Sequence, residues 1–538
     1  MRSNIFFLLM LVLSFSVRAA EKDYWFEAQL AFSTTLRGEL NDESCYQSEK
    51  TFLGCLLALS QGVNELQLSK GFALPGEGVA PVTGFSFKVM TFPEFIAAGK
   101  AAFEASRPPQ VRPSFKAVLD LLEQRSTPEQ RPALTANVYN AFLQLALDPH
   151  THIMTMAASQ EDSAPSSVRG IFGLNFEIVK DETGTDIVVL RRVLPGSAAE
   201  KAGLKQGEVV LSLDGEKDPQ KILQKFYGSS RVTAVVDGKQ GPRELDLARA
   251  ETSTDNVSVY LAQNGALKIG MVKLDSFMDR ESCGKILSSG LQMVKEGVSA
   301  FILDLRFNGG GDVAVAKCII SLFLEPGSQV WEERDFDGRI GTSQRPVLKK
   351  LPMPFGKMPT VTLINGYSAS ASELTAIYLQ SYRKSFLVGE RSFGKGSMQV
   401  VRPLASNKKV LMAKTTALFY GPNGVSPQRQ GITPDFVAYP IYGQSTPSEF
   451  EREEDQYPNA LDASGRAPTD PERQQEVEKI TGCMAREQRL QQAIAQMDRF
   501  DKFGLDYQLA VAMEVLYCFK LEKLTVPGLI KVPKVAPL

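Results

Sequence analysis

The segment Val361-Thr362-Leu363-Ile364-Asn365-Gly366-Tyr367-Ser368-Ala369-Ser370-Ala371-Ser372-Glu373-Leu374 reads as a strand, a tight turn of small residues and the start of a helix. A serine at such a turn presents its hydroxyl beside a backbone N–H, the arrangement a nucleophile for acyl transfer needs. Taken alone, the same pattern also describes an ordinary serine-rich helix cap. A second segment, Phe301-Ile302-Leu303-Asp304-Leu305-Arg306-Phe307-Asn308-Gly309-Gly310-Gly311-Asp312, is an apolar strand running into a triple glycine and a helix. Free N–H groups at a glycine-rich helix start bind negative charge, so this is a candidate oxyanion hole or phosphate cradle. In a third, Gly389-Glu390-Arg391-Ser392-Phe393-Gly394-Lys395-Gly396-Ser397-Met398-Gln399, a lysine sits between glycines ahead of an extended stretch. On a strand, Lys395 and Gln399 share a face, and the amide can orient the amine.

Other chemistries fit these segments less well. Gly309-x-Gly311-x-x-Ala314 matches a loose dinucleotide fingerprint but lacks the acidic residue about 20 positions on. The third segment nearly spells a phosphate-binding loop, yet Gly396 stands where Ser or Thr must reach magnesium, and 397–403 reads as strand. Ser381-x-x-Lys384 has no Ser-Asp-Asn or Lys-Thr-Gly partner. The chain holds two histidines, His150 and His152, so a three-histidine zinc site is excluded and a Ser-His-Asp triad could use only one of them.

At 538 residues the chain has room for three or four domains of roughly 100–200 residues. Its 43% hydrophobic and 22% charged residues are ordinary globular values. Sixty Lys+Arg against 61 Asp+Glu leave a formal charge of −1, without the basic footprint of a nucleic-acid binder. Arg2 precedes thirteen mostly apolar residues, 5–17, and then Val17-Arg18-Ala19, the pattern of a signal peptide cleaved after Ala19. Thirteen residues fall short of the roughly 18 that span a bilayer, so no stable membrane anchor is expected. Export permits three disulfides among Cys45, Cys55, Cys283, Cys318, Cys483 and Cys518.

The elements that must position the chemistry follow from periodicity. Residues 20–165 read as mainly helical, with a capping box at Thr127-Pro128-Glu129-Gln130 and a helix ending at Leu147-Asp148-Pro149. Short β runs follow at 175–179, 187–190, 209–213 and 232–236. Strands at 268–274, 300–305 and 360–364 then alternate with helices at 280–296, 312–324 and 372–380, the pattern of a layered α/β domain. A polar linker is expected over 443–477, then helices at 480–500 and 507–521 folded as an antiparallel hairpin. That hairpin would pair Cys483 with Cys518 across a length mismatch of about 8 Å. Cys45–Cys55 and Cys283–Cys318 would be the remaining bridges.

The stretch Arg169-Gly170-Ile171-Phe172-Gly173-Leu174-Asn175-Phe176, followed by Pro195-Gly196-Ser197-Ala198-Ala199, resembles a PDZ domain. There a basic residue and a Gly-Leu-Gly-Phe-type loop hold a peptide's terminal carboxylate while the peptide adds as a strand. Asn175 takes the place of the loop's second glycine. With the three segments above and Leu147-Asp148-Pro149-His150-Thr151, the chain over about 114–440 resembles the C-terminal processing peptidases, or tail-specific proteases. The resemblance implies Ser370 as nucleophile, Lys395 as its base and Gln399 as the base's partner. It places the oxyanion donors at Ala371 and a glycine of 309–311, Gly310 foremost, with Gly309 where the family usually has proline. Substrate binding falls to Arg169, Gly173, Leu174, Asn175 and Phe176.

The expectation is therefore a multidomain α+β chain: signal peptide 1–19, helical region 20–165, PDZ domain 166–250, layered α/β peptidase core 251–442, linker 443–477 and helical tail 478–538. The expected function is an exported, ATP-independent serine endopeptidase, periplasmic in a bacterium or else secreted. It would act on proteins or peptides with free C-termini and use no metal or other cofactor. For the dyad to work, Lys395 must be neutral, and burial would have to lower a pKa near 10.4 by roughly three units. The reading from another class is a catalytically silent PDZ adaptor that holds a partner's tail.

Overall fold

In a computed structural model of the chain, the apolar runs Ala300–Asp304 and Thr360–Ile364 are adjacent parallel strands, buried along their whole length. Residues 45–46, 48–65, 92–105, 127, 131–155, 172–181, 183–193, 197–248, 255–329, 332–334, 352–403, 410–440, 452–457, 460–462 and 470–528 are described. The signal peptide, Arg169, three residues of the 127–130 capping box and much of the 443–477 linker lie outside them. Contacts divide the chain into two units, the first holding 1–161, 397–417 and 457–461, the second the rest.

In the second unit the core sheet runs Phe436–Val437, Phe386–Gly389, Thr360–Ile364, Ala300–Asp304, Leu267–Leu274, Val257–Asn264. Every pair is parallel except the last, a hairpin. A strand covered on both faces needs no polar alternation, which is why these segments read as unbroken apolar runs. Successive side chains serve opposite layers. Ala300 and Ile302 pack with Val511, Val515 and Phe519 of the helix Tyr507–Leu521, whereas Phe301 stacks on Phe355 and meets Phe323. Cys283 and Cys318 join the helices Ser282–Lys295 and Val313–Ser321.

The same unit holds a five-stranded antiparallel sheet, Leu174–Lys180, Asp186–Val193, Val209–Leu213, Arg231–Asp237 and Arg243–Ala248, in chain order. The last strand was not expected: it alternates charged and apolar residues, and it pairs only at the sheet's edge. Leu174–Lys180 forms the other edge. The helix Pro219–Gly228, capped by Asp218, sends Ile222 and Phe226 into the core beneath.

The first unit contains the helices Glu49–Glu65, Phe92–Ala105 and Arg131–Ala146. Cys45 is bonded to Cys55. The strand His152–Thr155 pairs with residues 410–413, and Asn140 holds Ile153 through both its backbone N–H and C=O. Among the described residues no helix is long and apolar enough to cross a membrane.

The tail departs from the single helix expected at 480–500. A helix already starts at Pro471, where Asp470 accepts from the Arg473 N–H at 3.0 Å, so 471–477 is not linker. That helix stops at Glu487 because Gln488 turns left-handed, with φ 51°. Two short helices, Arg489–Ala495 and Arg499–Gly504, then precede Tyr507–Leu521. The bridged helices are thus not the arms of a direct hairpin, and the length mismatch does not arise. Cys483 and Cys518 are bonded, with Cα atoms 5.8 Å apart. Replacing both by serine removes a cross-link spanning 35 residues and is expected to destabilise the chain by about 2–4 kcal/mol. A lowered guanidinium midpoint checks this, and non-reducing peptide mapping should recover all three pairs.

Candidate active site

The loops leaving Ala300–Asp304, Thr360–Ile364 and Phe386–Gly389 emerge from the carboxyl ends of three neighbouring parallel strands, where open α/β sheets place their ligands. Asn308 ties the first loop to the second. Its side chain donates to Leu274 O at 2.8 Å, and its carbonyl accepts from the Ala369 N–H at 3.1 Å and the Ser372 hydroxyl at 2.7 Å. Ser368 donates to Leu305 O at 2.8 Å. Two of the three serines of the turn are thus fully buried and bound to loop carbonyls. Ser370 is half-buried and sits at φ 55°, a strained left-handed position such as functional turns store. It immediately precedes the helix Ala371–Ser381, whose first N–H groups have no intrahelical acceptor.

Glu373, in the first turn of that helix, joins the second loop to the third. Oε2 accepts from the N–H groups of Ser370 at 2.9 Å and Lys395 at 2.8 Å. Oε1 accepts from the Ser392 hydroxyl at 2.6 Å and the Gly394 N–H at 2.7 Å. Burial pushes its carboxyl up to about 7 in spite of these donors. The candidate nucleophile and the candidate base therefore hang from one carboxylate by their own backbone N–H groups.

Gly310, an expected oxyanion donor, has its N–H engaged by its own loop. Its N–H donates to Asn308 Oδ1 at 2.9 Å and cannot turn outward without giving up that bond. Its lack of a side chain matters directly: at φ 104°, a Cβ would lie 2.8 Å from Ser370 Cβ and 2.9 Å from the Ala371 nitrogen. Behind this loop the buried Arg306 forms ion pairs with the buried Asp304 at 2.7 Å and the half-buried Asp506 at 2.6 Å. Burial alone would raise Asp304, but Arg306 and Lys273 hold its carboxyl well below the usual range.

Gln399 belongs to the first unit, where its Nε2 donates to Ser397 Oγ at 3.1 Å and Thr415 Oγ1 at 3.0 Å. Thr415 in turn donates to Asp148 Oδ1 at 2.6 Å, and Thr151 donates to Oδ2 of the same carboxylate. The Leu147-Asp148-Pro149-His150-Thr151 motif thus anchors the amide. A carboxylate only accepts, so it points the Thr415 hydroxyl hydrogen at itself and leaves the oxygen's lone pairs to the amide. His152 Nδ1 lies 2.8 Å from His150 O, a local contact within the same segment.

Among the expected peptide-binding residues, Arg169 lies outside the described residues. Gly173, at φ 77°, is pressed against Ser197, which a Cβ would meet at 2.1 Å. Leu174 opens the edge strand, and a bulge falls between Asn175 and Phe176. Phe176 stacks on Phe226 at 4.8 Å. Reading from sequence missed Glu373, Asn308 and Thr415. Only Glu373, at capping-box spacing from Ser370, carried a usable signal.

The profile of peptidase family S41 matches residues 268–438. The carboxy-terminal-processing protease of Bartonella bacilliformis is 30% identical over 317 residues, covering 56% of this chain and 69% of its own. The chloroplastic C-terminal processing peptidase of Tetradesmus obliquus is 30% identical over 340 residues, covering 58% and 69%. Among solved structures, the photosystem II D1 C-terminal processing protease matches at 25% identity and TM-score 0.38, over 60% of this chain and 86% of that one. The chain belongs to the carboxy-terminal-processing proteases of peptidase family S41. It is an enzyme, a serine-type peptidase.

Glu373 carries a consequence for stability. With its folded pKa raised from 4.5 to about 7, the native chain keeps a proton that the unfolded chain has already released between those values. The free energy of unfolding should therefore fall as pH rises through that window, by up to about 3 kcal/mol, and level off above it. Glu373→Gln should lose this slope. Denaturant titrations of protein and variant at pH 5 and pH 7.5, compared as a difference, check it.

Proposed function

We propose that this peptidase is an exported, ATP-independent endopeptidase in which Ser370 attacks the peptide carbonyl and Lys395 takes its proton. The observation that carries the reading is the shared Glu373 carboxylate, which accepts from the backbone N–H groups of both residues. Burial of Ser368 and Ser372 with their hydroxyls engaged supports Ser370 over its neighbours. Ala371, at the helix start, supplies an N–H for the developing oxyanion. Gln399 supports the amine. Its amide nitrogen already serves two hydroxyl oxygens, so it would meet an amine with its carbonyl, as an acceptor. An acceptor leaves the lysine lone pair available for the serine proton.

In this reading residues 166–250 are a PDZ domain, and the whole follows the layout of helical region, PDZ domain, peptidase core and helical tail. The edge strand Leu174–Lys180, the left-handed Gly173 and the apolar Phe176–Phe226 pair suit capture of a chain end as an added strand. Substrates would be unstructured C-termini cut within the threaded chain. No observation favours the silent-adaptor reading.

Ser370→Ala and Lys395→Ala should each lower casein cleavage by at least about 1,000-fold with the fold intact, and Gln399→Ala by less, because nucleophile and base act as a unit. Wild-type rates in Lys395→Ala would remove the dyad. For the PDZ reading, amidating a peptide substrate's C-terminus should slow its cleavage about ten-fold or more. Equal rates for amidated and free peptides would leave that domain without a role in capture.

A further inference from the structure

Two large aromatic side chains stand exposed beside the candidate nucleophile turn. Phe307 is 51% and Tyr367 52% exposed, and their rings stack at 5.5 Å with planes 30° apart. Phe307 directly precedes the Asn308–Gly311 loop that lies against Ser370, and Tyr367 is three residues before Ser370 itself. Phe307 sits at φ 64°, where a side-chain-bearing residue is strained and asparagine or glycine would be the cheaper choice. Asn365, only 1% exposed, directs its Oδ1 to the N–H groups of both aromatic residues, at 3.0 Å to Phe307 and 3.2 Å to Tyr367. One buried amide thus holds the backbones of the pair together.

The rings border a cavity of about 760 Å³ that Leu174 and Phe176 of the edge strand, Tyr260 and Met271 also line. Lys273 Nζ lies 5.9 Å from the centre of the Phe307 ring, so one cation sits beneath this wall of the cavity. A strained, clamped and exposed aromatic pair is costly to keep in water, and packing of the core does not require it. Phe307 adjoins the loop that lies against Ser370, Tyr367 lies three residues before Ser370, and both line the cavity shared with the edge strand, so a substrate strand running from that edge to Ser370 would pass the two rings.

We propose that Phe307 and Tyr367 form the surface that receives a bulky apolar side chain, such as Leu, Met or Phe, adjacent to the scissile bond. The enzyme then selects its cleavage position by that side chain, apart from any selection by the substrate's C-terminus. The inference rests on Ser370 being the nucleophile only for its location. The occupant is a polypeptide segment because the chain is a peptidase and the cavity's lining is mixed, apolar at Leu174, Phe176 and Met271 and charged at Glu177, Arg191 and Asp304, as an extended strand with both kinds of side chain requires.

The test uses the full-length purified protein and peptides that share one C-terminus and differ only in the residue preceding the cleaved bond, with the cut located by mass spectrometry. The ratio of kcat/KM for the Leu peptide to that for the Ala peptide should be about ten-fold or more in the unaltered protein, the scale on which apolar pockets discriminate. Phe307→Asn, which tolerates the left-handed backbone, and Tyr367→Ser should each bring the ratio toward unity, whereas Tyr367→Phe should keep it. If Phe307→Asn misfolds, the two Tyr367 variants still decide the matter. An unchanged ratio in Phe307→Asn and Tyr367→Ser, or equal losses on both peptides, overturns the proposal. Cleavage that survives Ser370→Ala would instead overturn the nucleophile assignment, and the ratio would remain readable.

Discussion

A single buried carboxylate governs the geometry of this site. Glu373 is fully buried and accepts from four donors on two separate turns. A buried charge without partners is expensive, and the penalty falls only when its hydrogen-bonding capacity is filled. Each donor can reach it only if the turn 368–372 and the turn 392–395 hold their places, so satisfying the carboxylate and aligning the two turns are one event. Its position in the first helical turn adds favourable alignment with the helix dipole. The sheet makes the meeting possible: Ile364 and Gly389 are register partners at the ends of adjacent parallel strands, and their loops start side by side.

Close approach of these strand ends depends on missing side chains. Gly389, at φ 128°, would place a Cβ 2.1 Å from Ile364 O, and Gly311, at φ 144°, would place one 2.6 Å from the backbone of Phe277 and Met278. Any substitution at either point must move a strand end, and with it a loop that feeds Glu373 or Asn308. The glycines in these motifs therefore act through contact as well as conformational freedom.

Much of this was legible in the sequence. Apolar runs located three of the parallel strands, 268–274, 300–305 and 360–364, but not the short Phe386–Gly389 and Phe436–Val437, and small residues located the turns, because both signals are local. Glu373, Asn308 and Asn365 were not, since each is a polar residue whose ordinary place is a solvated turn or helix surface. Only the tertiary structure buries them and supplies their partners. The alternating strand Arg243–Ala248 was lost for a similar reason, its half-exposed face reading as loop. In the tail, Asp470-Pro471 is a good helix start that the polar composition around it obscured, and Gln488 gives no local sign of a left-handed stop because it is neither glycine nor asparagine.

Ser370 and Phe307 are both side-chain-bearing residues at positive φ, and strain of this kind persists only where the surroundings over-determine it. For Ser370 those surroundings are Glu373 and the Ala369–Asn308 bond; for Phe307 they are Asn365 and the Arg306 ion pairs just before it. Asn365 and Glu373 flank the serine turn on either side, so the two strained residues are clamped by one continuous stretch of chain. A change that relaxes one should be felt at the other through Asn308, whose carbonyl joins the loops. The candidate nucleophile and the aromatic pair beside it are thus tied into one hydrogen-bond network that runs through Asn308, Asn365 and Glu373.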